Sequence, residues 1–207
     1  MLGRIKLTLG RAAAEVEKRL LPPAPLPAKV LASRVVLLGA SVSDHWNIQV
    51  RYPCIEVRKV YAFDKSAEID RLLSETRPPD AIIIKECAAY FPLELAEQKP
   101  LVLGWIDSLR ARDVVVVMAT VVPVTSRHAS SRPGRLEGIV EYNDWVRSVA
   151  SERGLQVLDL ERALRTGPDD PHLDPRWATN DGLHLRRAAY RRRLDTIVQP
   201  VLVAALG

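Results

Sequence analysis

The sequence predicts an α/β fold, a three-layer sandwich with a five-stranded, mainly parallel sheet. Three observations predict it. Short unbroken apolar runs recur along the chain, as expected for strands buried on both faces. Amphipathic stretches of helical period separate them, and strand and helix patterns alternate in the order of a parallel sheet with crossover helices. Apolar residues make up 47% and charged residues 27% of the 207-residue chain, enough for one sizeable core and unlike a disordered or fibrous chain.

The first run, Val35-Val36-Leu37-Leu38, stops at Gly39. Ile82-Ile83-Ile84 and Val114-Val115-Val116-Val117-Met118 are of the same kind, and Val57 to Phe63 and Leu155 to Leu160 are less regular strand candidates. Helices are expected around Lys65 to Ser74, Leu93 to Gln98, Leu136 to Glu152 and Arg186 to Leu202. Ahead of this body, Leu9, Ala12, Ala13, Val16 and Leu20 share one helical face that ends at the proline-rich stretch Pro22 to Pro27, because proline lacks the donor a helix needs. The chain is therefore read as an N-terminal helical arm with a proline-rich linker over 1–30 and one α/β domain over 31–207. The arm is expected to pack back on the domain, ahead of joining a second copy in a homo-oligomer or touching a lipid surface.

Net charge is +5, a modest excess that suits solubility. Charged residues interrupt the first twenty positions too often for a signal peptide, and no membrane span follows. Cys54 and Cys87 are too few for a disulfide scaffold or a four-cysteine zinc site, so a reducing, cytoplasmic setting is expected, with no metal and no cofactor. No phosphate-cradling glycine motif is present. Arg186, Arg187, Arg191, Arg192 and Arg193 make the last helix basic, but base-reading and base-stacking motifs are missing from that run, and nucleic acid is disfavoured as a partner.

In open α/β sheets ligands bind beyond the carboxyl ends of the strands, which directs attention to Gly39-Ala40-Ser41-Val42-Ser43. Glycine after a buried strand permits a sharp turn, and Ser41 would stand at a helix start, either as a cap or as a nucleophile. Ser43 is the rival hydroxyl, better placed for a loop hydrogen bond. Near the far end, Asp181-Gly182-Leu183-His184 can fold a carboxylate against an imidazole. Serine needs such a base, and the base needs an orienting acid, before it attacks a carbonyl.

Together these two segments resemble the SGNH or GDSL hydrolase family, over roughly Val35 to Leu202. The resemblance implies a flavodoxin-like fold, with Ser41 as nucleophile, Asp181 as orienting acid and His184 as general base of a hydrolase of esters, acetyl esters or thioesters. Small or carbohydrate-linked esters are the implied substrates. Departures accompany it. Ala40 stands where the family commonly has Asp, and Tyr61 to Ser66 and Ile84 to Ala88 lack the family's Gly and Asn oxyanion donors. A backbone amide around Ala62 or Phe63, or the side chain of Lys85, is a candidate substitute. Lys85 and Glu86 are read as a structural ion-pair network, with Lys65, Asp64 or a residue of the first loop as partner, or as substrate contacts. Cys87 sits near the family's Asn position but reads better as a small buried residue. His45 is placed to shape a pocket or to pack, and His128 lies in a polar insertion read as an exposed connection in preference to a substrate-side loop. The alternative function is a catalytically reduced domain of this type that binds a small ligand, a protein or nucleic acid.

Overall fold

The structure, a computed structural model, describes residues 23–61, 64–92 and 95–207. The expected arm helix over the first twenty residues, and Ala62 and Phe63 with it, lies outside the described residues.

Five strands form one sheet: β1 (Val35–Gly39), β2 (Ile55–Lys59), β3 (Ala81–Lys85), β4 (Val115–Ala119) and β5 (Gln156–Leu158). Their order is β2-β1-β3-β4-β5, and each neighbouring pair is parallel. This is the flavodoxin-like order, whose switch point falls where β1 lies between β2 and β3. The strand ends that flank β1 therefore frame the position at which a ligand is expected.

Successive side chains of a strand face opposite sides, and the apolar runs divide accordingly. Val35 and Leu37 of β1 share one core with Ile83, Val117 and Leu158. Covering them are Val30 of helix α1 (Ala28–Ala32), Val42 and Trp46 of α2 (Ser41–Trp46), and Val198 and Leu202 near the C-terminus. Val36 and Leu38 face the other way with Ile82, Ile84, Val116 and Met118. That face is closed by Ile69 and Leu72 of α3 (Asp64–Leu73), Trp105 and Ile106 of α4 (Leu95–Arg110), and Ile139, Tyr142 and Val146 further on. Two apolar layers on one sheet give the three-layer sandwich, and burying a leucine or isoleucine side chain stabilises it by about 1.5–3 kcal/mol.

The remaining helices are α5 (Ser126–Ser131), α6 (Arg135–Arg153), α7 (Leu160–Leu164), α8 (Arg187–Ala189) and α9 (Asp195–Leu206), with a π-helical turn at Tyr190–Leu194 joining the last two. Two expected boundaries are corrected. β2 runs over Ile55–Lys59 rather than 57–63, because its parallel partner ends at Gly39, opposite Lys59. α4 extends far beyond the expected 93–98 stretch. Pro100 lies within its second turn, where it removes one hydrogen bond, while Val102, Trp105, Ile106 and Leu109 bury a continuous face. Among the described residues, no helix is long and apolar enough to cross a membrane.

Candidate active site

At the end of β1 the chain turns sharply into α2. A Cβ on Gly39 would lie 2.0 Å from the Ser43 Oγ and 2.8 Å from its Cβ, so only glycine allows the turn to close. Ser43 is fully buried, and its Oγ meets no hydrogen-bond partner. Ser41 opens the helix, half-buried, and its N–H belongs to the first turn, where no intrahelical acceptor is available. α2 is fixed from behind by Val42 and Trp46 in the core. The Trp46 indole donates to the Asp195 carboxylate at 2.8 Å, which ties the serine helix to the start of α9.

The last strand-end loop brings the second motif to this hydroxyl. Ser41 Oγ lies 3.1 Å from His184 Nε2, and His184 Nδ1 lies 2.6 Å from Asp181 Oδ2. The other carboxylate oxygen of Asp181 accepts from the backbone N–H of Leu183 and of His184, both at 2.9 Å, and from the Thr179 hydroxyl at 2.7 Å. Desolvation pushes the Asp181 pKa up, but the backbone and ring donors of His184, with those of Leu183 and Thr179, outweigh it and hold the carboxyl well below the usual range. An ionised Asp181 accepts a proton-bearing Nδ1, which leaves the Nε2 lone pair facing Ser41.

Gly182 makes this loop possible. Its φ of +70° lies in the left-handed region, and a Cβ there would sit 2.2 Å from the Thr125 Oγ1. The loop closes on Thr125, whose N–H donates to the Gly182 carbonyl at 3.0 Å. Thr125 also caps α5, accepting from His128 N–H at 3.3 Å.

Behind the loop stands a second histidine. Arg135 Nη1 lies 2.8 Å from His128 Nε2, and His128 Nδ1 lies 2.9 Å from the Asp181 carbonyl oxygen. A guanidinium can only donate, so His128 Nε2 accepts and its Nδ1–H donates to Asp181. Arg135 also donates through Nε to the Phe91 carbonyl at 2.8 Å and through Nη2 to the Ala89 carbonyl at 3.3 Å. Sequence reasoning missed this link, having read His128 as part of an exposed connection. The one local signal was the Thr125 cap ahead of it.

The other expected site residues are placed as follows. His45 is exposed at the end of α2, its ring centroid 5.8 Å from that of His184. Lys85 ends β3 beside the nucleophile turn, with its Cβ 3.7 Å from where a Gly39 Cβ would lie. It is 1% exposed and donates to the Glu86 carbonyl at 2.9 Å. Burial lowers the Lys85 pKa to about 8, partly opposed by the nearby Cys87. Glu86 is 1% exposed and pairs with the fully buried Lys65 at 2.8 Å, while its Oε1 has no partner. The charges of Lys85 and Glu86 thus lie inside the domain, joined to Lys65 and to backbone. Cys87 is buried just ahead of the turn Ala88–Tyr90. Among the described residues, no group of three or more His, Cys, Asp or Glu side chains is gathered as a metal would require.

The sequence matches the model of the GDSL-like Lipase/Acylhydrolase family over residues 13–192. No match was found among curated proteins. Solved structures share the fold at low identity. A GDSL-like lipase from Bacteroides thetaiotaomicron is 14% identical with a TM-score of 0.69, over 94% of this chain and 98% of that one. A lipase/acylhydrolase from Enterococcus faecalis is 18% identical with a TM-score of 0.58, over 84% and 97%. A catalytic mutant of an acetylxylan esterase from Geobacillus stearothermophilus is 14% identical with a TM-score of 0.57, over 85% and 94%. With the family pattern spanning most of its length and a serine–histidine pair at the switch point of its sheet, the chain belongs to the GDSL-like lipase/acylhydrolase family and is a serine hydrolase of esters.

Proposed function

We propose that Ser41 is the nucleophile, His184 the general base and Asp181 the orienting acid of this hydrolase, acting on small soluble esters, acetyl esters or thioesters. The observation that carries the assignment is the unbroken line from Ser41 Oγ through His184 Nε2 and Nδ1 to Asp181, at 3.1 and 2.6 Å. Both distances suit proton transfer and imidazolium stabilisation. His184 takes the Ser41 proton as the hydroxyl attacks the carbonyl, and the Ser41 N–H is one donor to the oxyanion. His184 then protonates the departing alcohol or thiol. Water, deprotonated by His184, releases the acid and restores Ser41. Ser43 is unsuited to this role, since its hydroxyl is sealed against Gly39.

Acetylated carbohydrate belongs among the candidate substrates, since the domain shares its fold with an acetylxylan esterase. A fluorophosphonate probe tests the assignment. Covalent labelling of the wild-type chain at Ser41, lost in Ser41→Ala and His184→Ala proteins, is expected. A folded wild-type protein that resists the probe across a broad pH range would instead be a binding domain.

A further inference from the structure

We propose that the ester this enzyme prefers carries an anionic oxygen group, a carboxylate or phosphate, held by Arg127 and Arg186 in the cleft beside Asp181. The proposal rests on the hydrolase reading above and specifies its substrate. An open cleft of about 520 Å³ borders Asp181 and Gly182, between α5 on one side and the stretch leading to α8 on the other. Its apolar side chains are only Pro175 and Ala178. A long acyl chain gains its affinity from buried apolar area, and this lining offers little.

The polar content points to an anion. Arg127 projects from the first turn of α5, exposed, with no hydrogen bond or ion pair among the described residues. Arg186 faces the same cleft, with Nε held by the Ala178 carbonyl at 2.5 Å. That single bond anchors the guanidinium through Nε and leaves its other N–H donors without an acceptor among the described residues. Two guanidinium forks lining one cleft suit a carboxylate or phosphate, and Ser126 and Asn180 add neutral polar groups to the lining. The one carboxylate of the lining is Asp181, whose two oxygens are already occupied by His184, Leu183 and Thr179. Of the lining histidine, His128, both ring nitrogens are likewise engaged. Two arginines against one aspartate leave the lining with a formal excess of positive charge, and two hydrogen bonds and one imidazole ring separate its edge from Ser41 Oγ.

Two matched ester pairs test this: mono-p-nitrophenyl succinate against its methyl ester, and 4-acetoxybenzoate against its methyl ester. The first pair places the anion on the acyl side and the second on the leaving group. At low ionic strength the wild-type chain is expected to favour the anionic member of at least one pair in kcat/KM. In the Arg127→Ala/Arg186→Gln protein that ratio should fall about five- to tenfold, the scale of two solvent-facing ion pairs, and added salt should erode it in the wild type. Equal rates within both pairs in the wild type, or a preference that survives the double substitution, would overturn the proposal. Failure of the hydrolase reading looks different, because neither pair would then turn over and Ser41 would not label. Calorimetry on Ser41→Ala protein still decides in that case. Tighter binding of 4-acetoxybenzoate than of its methyl ester, abolished by the arginine substitutions, supports the cationic cleft, and equal or undetected binding of the two refutes it.

Discussion

Replacing Lys85 by methionine should change how stability responds to alkali. The side chain is 1% exposed, and burial brings its pKa from the ordinary 10.5 to about 8. Between those values the unfolded chain still holds the proton that the folded chain has released, so the unfolded state binds more protons and stability rises with pH. The slope is about 1.4 kcal/mol per pH unit, and across the interval the total is about 3 kcal/mol. The Lys85→Met protein lacks this rise. It also leaves the Glu86 carbonyl without the donor now at 2.9 Å, a cost of about 1–3 kcal/mol that is the same at every pH. At pH 7 the variant is therefore expected to match or slightly exceed the wild type, and by pH 10.5 to fall below it. Urea unfolding of both proteins from pH 7 to 11 measures the difference, in which the titration of shared groups cancels. A wild-type-minus-variant difference that stays flat over that range would refute the reasoning, because Lys85 would then ionise as freely folded as unfolded.

Asp181→Asn should lower kcat for a chromogenic ester by about 10³–10⁴-fold, since an amide N–H would face the His184 Nδ1–H now bonded to the carboxylate at 2.6 Å. The same substitution removes an acid-sensitive contribution. Because the Asp181 pKa is depressed in the folded state, its bonds stabilise the fold above the ordinary carboxylate range, and this stability is lost as pH falls through the depressed value. Acid titration of folding should accordingly be less steep in the variant. Gly39→Ala should destabilise the protein by about 1–3 kcal/mol through overpacking against Ser43. Adding Ser43→Gly should recover part of that loss, read as melting temperature, and no recovery would sink the steric account.

The parts of the fold that could be read from the sequence are those whose neighbours leave a local trace. β1, β3 and β4 are covered on both faces, so their residues form unbroken apolar runs. β2 lies at the edge of the sheet and buries only Ile55 fully, which is why its limits were misjudged by two residues at the start. α4 runs past the expected Leu93 to Gln98 stretch and through Pro100, because packing of Val102, Trp105 and Ile106 outweighs one missing hydrogen bond. Gly39 to Ser43 and Asp181 to His184 were conspicuous because sharp turns demand particular residues. The Arg135 link was hidden, since its partners Phe91 and His128 lie 44 and 7 residues away and no local pattern records their meeting.

That link has a mechanical meaning. One rigid guanidinium grips two carbonyls on the segment that follows β3 and, through His128, the peptide that carries Asp181. The planar guanidinium thereby joins Phe91 to the peptide of the acid through three successive hydrogen bonds. The acid of the triad is thus steadied by a brace that reaches it from outside its own loop.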